Sequence, residues 1–146
     1  MSRSLLLACA LIAACGAPEP AAPAGIELSV STDKTVYSLS ADTAAAPILV
    51  NRGVREVYLP MNEYVAVQRF GNGAWSEPQP WFSVDGIGVS FPLQPGDTMY
   101  ALPMRFAYID RQVGVYRFIF DVAADPNGRT ILGESVRVSP PFEVQR

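Results

Sequence analysis

The sequence has no histidine, two cysteines and a single lysine, Lys34, and each shortage excludes a class of chemistry. Without histidine, a His-ligated zinc site, a Ser-His-Asp triad and a Cys-His dyad are impossible. Eleven basic against fourteen acidic residues do not provide the clustered positive charge that is typical of nucleic-acid binding. The length of 146 residues fits one domain.

Other catalytic and metal sites lack their usual spacing. The carboxylates show no spacing that suggests a glycosidase pair, and no Asp-x-Asp-x-Asp run typical of a calcium loop is present. The nearest approach to a calcium cluster is Asp121 with Asp125 and Asn127, which a β-turn explains as well. A catalytic Ser-Lys pair, in which the lysine activates the serine, could use only Lys34. We therefore predict a protein that is not an enzyme, with no catalytic residue, no metal and no cofactor.

Residues 1–14 have the pattern of a secretory signal. Arg3 is their only charge, and the ten residues 5–14 are too few to span a bilayer of about 30 Å. Small residues, ending in Ala14, then precede Cys15, as they do before a signal cleavage site. An ordinary cleaved signal, cut near Ala14 or Ala17, also fits this pattern, with Cys15 incidental.

Residues 12–16, Ile-Ala-Ala-Cys-Gly, resemble the lipobox of bacterial lipoproteins. The resemblance implies cleavage between Ala14 and Cys15, acylation of Cys15, and a membrane-lipid anchor. Cleavage before Cys9 would leave a much shorter apolar segment. Gly16, where an Asp would resemble an inner-membrane retention signal, favours the outer membrane. We expect a lipid-anchored cell-envelope protein, with the periplasmic or surface face left open.

The residues after the cysteine predict a spacer. Residues 16–25 contain three prolines and no large apolar side chain, which favours an extended, semi-rigid linker. The predicted organisation is a signal peptide over residues 1–14, a lipidated Cys15 with a Pro/Ala-rich tether over residues 15–25, and one folded domain over residues 26–146.

An apolar period of two, with scattered prolines and glycines, predicts short strands from residue 26 onward. The clearest strand is 114–122, with Tyr116 and Phe118 on one face and Arg117 on the other. Gly-Asn-Gly at 71–73 predicts a hairpin turn. Further strands are predicted over residues 26–31, 34–37, 48–51, 54–59, 64–70, 98–106, 130–138 and 142–144. Seven to nine such strands indicate an all-β sandwich or barrel.

The run Gly-Val-Tyr-Arg-Phe at residues 114–118 resembles the tyrosine corner of immunoglobulin-type sandwiches. The resemblance gives Gly114 and Tyr116 a structural role: Tyr116 opens strand F, and its hydroxyl bonds to the backbone a few residues upstream. Phe118 stands where antibody domains carry their second cysteine. No tryptophan is evident on strand C, which leaves the detailed topology open.

A wider set of stretches resembles bacterial immunoglobulin-like domains of envelope lipoproteins. Their order along the chain carries the resemblance, which implies an immunoglobulin-like antiparallel β-sandwich. The stretches are residues 36–37, 48–51, 73–75, 93–96, 114–118 and 139–144.

Trp75, Trp81 and Phe82 bracket a Pro-rich stretch and form a possible binding loop. Large aromatic side chains in a loop either anchor a partner or fold back over the core, and the sequence allows both. In the predicted strand 114–122, Arg117 is expected to pair with a carboxylate of an adjacent strand.

These observations predict a non-catalytic, membrane-anchored lipoprotein whose domain binds or scaffolds an envelope protein or glycan. One alternative is a protease inhibitor that inserts residues 76–82 or 123–129 into an active site. The other is a hydrolase or a metal-carrying protein.

Overall fold

The computed structural model of the protein describes residues 21–60, 64–81 and 90–146. These residues form thirteen strands and two 3₁₀ segments, Phe106–Ile109 and Glu134–Val136. No helix among them is long and apolar enough to cross a membrane. The predicted all-β class is confirmed. The strands are β1 Leu28–Thr32, β2 Val36–Ser38, β3 Ala44–Ala45, β4 Pro47–Asn51, β5 Val57–Pro60, β6 Val65–Gly71, β7 Ala74–Trp75, β8 Gln79–Pro80, β9 Ser90–Leu93, β10 Thr98–Tyr100, β11 Met104–Arg105, β12 Gly114–Phe120 and β13 Phe142–Gln145.

The strands form one large sheet and three smaller ones. The large sheet has the order β2-β13-β12-β6-β7, and β8 also pairs with β6. Its pairs are antiparallel except for the parallel pair β2 and β13. A three-stranded antiparallel sheet has the order β1-β4-β10, and the pairs β3/β11 and β5/β9 complete the set.

One hydrophobic core joins the sheets. On β12 the inward side chains Tyr116, Phe118 and Phe120 are at most 1% exposed, which confirms the predicted alternation. Phe142 packs on Phe118 with ring centres 4.9 Å apart, and the same core includes Leu49 of the three-stranded sheet. Residues two apart on a strand share a face, so the intervening Arg117 and Ile119 lie on the outer face of the large sheet.

The hairpin between β6 and β7 follows the prediction from its Asn-Gly pair. Gly71 pairs with Ala74, which leaves Asn72 and Gly73 as a two-residue turn with φ of 53° and 80°. Positive φ at both central residues is the requirement of a type I′ turn, whose twist matches that of the strands.

Two predicted strands are wrong in extent. Within the part of the chain that the structure describes, residues 130–138 make only single bridges, Ile131 to Ala123 and Val138 to Ile119, around the 3₁₀ segment Glu134–Val136. The Arg137 guanidinium bonds to main-chain carbonyls beside this turn, in place of a continuous ladder. Residues 98–106 form the separate strands β10 and β11, because Pro103 has no N–H to continue the ladder.

The connection into β12 is closed by Tyr116. After the 3₁₀ segment Phe106–Ile109, the chain turns through Asp110 and Arg111, and the Tyr116 hydroxyl donates a hydrogen bond to the Gln112 carbonyl at 2.9 Å. The ring is buried, and this burial raises the pKa of the Tyr116 hydroxyl. The bond ties the loop to the strand that follows it.

Replacing Tyr116 by phenylalanine is expected to lower the free energy of unfolding by about 1 kcal/mol, because the Gln112 carbonyl loses its donor while the packing is kept. Urea unfolding measures the change. Tyr108→Phe is the control, since that side chain is exposed, and it is expected to stay within about 0.5 kcal/mol of the parent. Equal effects of the two variants would contradict a stabilising role for the Tyr116 bond.

Candidate functional site

A polar groove of about 520 Å³ lies on the outer face of the large sheet. Its floor includes outward side chains of β6 and β12, among them Gln68, Arg117 and Ile119. Residues 75–78 and the side chains of Glu134 and Arg137 also line it. The segments that follow β7 and β12 therefore convert one part of a flat sheet face into a concave surface. We call this feature the outer-face groove.

Arg117 is held from three directions in this groove. Its Nε donates a hydrogen bond to Gln68 Oε1 at 2.8 Å, and its guanidinium forms an ion pair with Glu134. The guanidinium also lies 4.5 Å from the centre of the Trp75 ring, within the range of a cation–π interaction. The expected carboxylate partner is therefore present, but it belongs to a 3₁₀ segment and not to a neighbouring strand.

Gln68 connects the floor of the groove to one wall. Its side chain is buried, and its Nε2 donates to the Ser76 carbonyl at 2.9 Å while its Oε1 accepts from Arg117. The main chain of Ser76 also donates to the Arg69 carbonyl at 2.9 Å. These bonds fix the segment after β7 against β6, so the wall has a defined position.

Arg137 forms the second charged centre. It donates to the main-chain carbonyls of Leu132 and Phe120, both at 2.9 Å, and to Asp121 Oδ1 at 3.0 Å. The side chains of Asp121 and Glu134 are 52% and 47% exposed, whereas their arginine partners are mostly buried. An ionised carboxylate has about four acceptor positions, so the exposed part of each can accept a hydrogen bond from a ligand hydroxyl or amide while it keeps its arginine.

The structure separates the three aromatic residues of the predicted binding loop. Trp75 is half-buried and lines the outer-face groove. Trp81 is buried in the core, where its ring centre lies 5.1 Å from that of Phe118. Phe82 lies outside the described residues. Trp81 has therefore folded back over the core, and Trp75 alone of the two described tryptophans is available at a binding surface.

The segments proposed for protease inhibition are tied to the domain. Within residues 76–81, β8 pairs with β6. In the other segment, Asp125 closes a turn by accepting the N–H groups of Asn127 at 3.0 Å and Thr130 at 2.7 Å. The Thr130 N–H, with the others of this turn, holds the pKa of Asp125 below its usual value. The Asp125 carboxylate is thus used by the turn, whereas Asp121 pairs with Arg137.

Of the four remaining predicted site residues, two lie among the described residues and two do not. Gly114 and Tyr116 lie at the start of β12 beside the Gln112 bond described above. Ala14 and Cys15 lie outside the described residues.

Sequence reasoning missed Gln68, Glu134 and Arg137. Glu134 and Arg137 belong to residues 130–138, which the sequence pattern predicted as one regular strand. A regular strand gave no reason to expect contacts with Arg117 or Asp121. The signal that could have found Gln68 is its position as a polar residue directly after three apolar ones, residues 65–67, in β6. No protein-family model matches the sequence, and the search of curated proteins returns no match.

Proposed function

We propose that the protein is a membrane-anchored lipoprotein of the cell envelope whose immunoglobulin-like β-sandwich binds an envelope partner without catalysing a reaction. The anchor is assigned to Cys15, which follows the small residues of the lipobox-like stretch 12–16. Two or more acyl chains hold a protein stably at a membrane, whereas one chain does so only reversibly. The Pro/Ala-rich tether then spaces the domain from the lipid. The outer membrane is the membrane we favour.

The strand order supports the immunoglobulin-like part of the proposal. Strands β1, β4 and β10 correspond in order to A, B and E of such a sandwich, and β6, β12 and β13 to C, F and G. The Tyr116 hydroxyl bonds four residues upstream near the start of the strand that corresponds to F. Trp81 packs on Phe118, the residue at the second-cysteine position, and so supplies an aromatic cover from outside strand C. The separate pair β5/β9 departs from the simplest form of the fold.

The observation that carries the binding proposal is the arrangement around Arg117. A mostly buried guanidinium, fixed by Gln68 and Trp75, faces a half-exposed carboxylate in a groove of about 520 Å³. Binding sites commonly combine such a concave surface with a few fixed polar groups. The groove offers both donors and acceptors, which suits a glycan or a polar peptide segment and gives no strong preference for either sign of charge.

Site-specific photocrosslinking in cells tests this proposal with the full lipidated chain. A photoreactive phenylalanine analogue is introduced at Glu77, on the groove wall, and in a control strain at Arg129, which is exposed and does not line the groove. We expect an adduct from position 77 that is absent from position 129, and mass spectrometry of the adduct distinguishes a protein partner from a glycan.

Two variants connect the adduct to the groove. Arg117→Gln and Glu134→Gln, each combined with the probe at position 77, are expected to reduce the adduct because they remove the fixed ion pair. The unfolding midpoint of each variant shows that the domain is folded. Equal adducts from positions 77 and 129, or adducts unaffected by both variants, would refute the groove as the binding site.

A further inference from the structure

A second concave surface gathers unpaired positive charge. A cleft of about 290 Å³ at the end of the large sheet is lined by Leu39, Arg69, Arg111, Gln112, Val113 and Arg146. Three of these residues are arginines, and the lining includes no acidic side chain from residues 21–60, 64–81 or 90–146. This arginine cleft lies where β2 and β13 end and β12 begins, and none of its lining residues lines the outer-face groove.

None of the three arginines is neutralised by an ion pair among the described residues. The ion pairs found there join Lys34 to Asp42, Arg117 to Glu134, and Arg137 to Asp121. Asp110 precedes Arg111 in the chain but lines the adjoining cleft. A chain with a formal charge of −3 has enough carboxylates to pair these arginines, yet no acidic side chain of the described residues lines the cleft.

The fold also holds two of the guanidinium groups in place. Arg69 donates from Nη1 to Gln112 Oε1 at 2.6 Å and from Nη2 to the Val113 carbonyl at 3.1 Å. Arg111 donates from Nη2 to the Leu39 carbonyl at 2.7 Å. A guanidinium has five N–H donors, so each of these two keeps donors for a ligand. Fixed guanidinium groups lose less entropy on binding than free ones.

The backbone that presents Arg111 adopts an uncommon conformation. Asp110 and Arg111 both have left-handed φ, 50° and 51°, and the Arg111 N–H donates to the Phe106 carbonyl at 2.8 Å. Such residues cost free energy, and they concentrate where a side chain must be placed for a function. Gly114 leaves space for the Arg69 side chain, because a Cβ at this position would lie 3.1 Å from Arg69 Nε.

We propose that the arginine cleft binds a phosphate group, either on a lipid headgroup or on a soluble phosphate ester. Guanidinium groups match the oxygen geometry of phosphate and donate paired, charge-assisted hydrogen bonds to it. Arg111 and Arg69 provide the fixed donors, and the Arg146 side chain adds a third guanidinium group to the lining. This site is separate from the outer-face groove, so it stands or falls independently of the proposed partner.

Calorimetric titration of the full chain in a neutral detergent tests this site with two probes. Inorganic phosphate reports on the oxyanion alone, and short-chain phosphatidic acid below its micelle concentration presents the same group on a lipid. We expect binding that weakens as salt is added. Binding of both probes with equal affinity assigns the site to the phosphate group itself, and tighter binding of the lipid assigns it to a headgroup. Failure of both to bind at low salt would overturn the proposal.

Matched charge variants separate the cleft from general electrostatic attraction. Arg111→Gln and Arg146→Gln are each expected to weaken binding about tenfold, the loss of one charge-assisted interaction. Arg129→Gln removes the same charge from an exposed residue outside the cleft and is expected to leave the affinity unchanged. Because the Arg146 side chain makes no hydrogen bond among the described residues, its variant is expected to fold normally. Equal weakening by all three variants would contradict a specific site.

Discussion

Replacing Trp81 by alanine is expected to lower the free energy of unfolding by about 3–5 kcal/mol. The side chain is 7% exposed and packs on Phe118 within the shared core, so its removal leaves a cavity beside the central strand β12. Urea unfolding, followed by circular dichroism, measures the change. The photocrosslinking at position 77 should persist as long as the variant is folded, since Trp81 does not line the outer-face groove.

Two further variants sharpen this prediction. Trp81→Phe keeps a ring on Phe118 and removes an indole Nε1 that has no hydrogen-bond partner among the described residues, so its cost is expected to stay below about 1.5 kcal/mol. Trp75→Ala should reverse the pattern, with little loss of stability and a weaker groove adduct. If Trp81→Ala left unfolding unchanged and abolished the adduct, Trp81 would be a binding residue and the core assignment would be wrong.

Replacing Asn51 by alanine is expected to lower the free energy of unfolding by about 2–4 kcal/mol. Asn51 is fully buried at the end of β4. Its Nδ2 donates to the carbonyls of Arg55 at 2.8 Å and Leu93 at 2.9 Å, and its Oδ1 accepts from the Gly53 N–H at 3.0 Å. Alanine would leave three main-chain groups without this partner. The shift in urea midpoint gives the measured value.

Gln94 provides the control for that substitution. Its side chain is exposed and donates to Glu56 at 2.9 Å, so Gln94→Ala removes a hydrogen bond near the same loops without burying an unpaired group. Its effect is expected to stay within about 0.5 kcal/mol. A loss from Asn51→Ala no larger than that from Gln94→Ala would show that the buried bonds do not hold these loops.

Local patterns predicted much of the fold. The alternation on β12 placed Tyr116 and Phe118 in the core. The Asn72-Gly73 pair predicted a hairpin turn, and both of these residues have the positive φ that such a turn needs. These features depend on residues close in sequence, where side-chain period and turn geometry decide the outcome. The strand expected over residues 130–138 is wrong because the 3₁₀ segment Glu134–Val136 interrupts it and the Arg137 guanidinium bonds to main-chain carbonyls there.

The candidate site was less predictable than the fold. Arg117 meets Gln68 from another strand and Glu134 from a later turn, and no spacing in the sequence brings these three together. The polar role of Asn51 was hidden for the same reason, since its Leu93 partner lies 42 residues away. Trp75 and Trp81 looked equivalent around one Pro-rich stretch. Strand β8, which comes directly before Trp81, pairs with β6, and Trp81 then enters the core. Trp75 stays on the outer face of the sheet.

The lipid anchor is the central claim of this account, and metabolic labelling with palmitate tests it most directly. The full chain is expressed in growing bacteria as the parent, as Cys15→Ala, and as Cys9→Ala, the control that removes the other cysteine. We predict label on the parent and on Cys9→Ala, together with a shortened membrane-bound protein. Cys15→Ala should carry no label and should stay unprocessed. Labelled palmitate on Cys15→Ala would contradict the account.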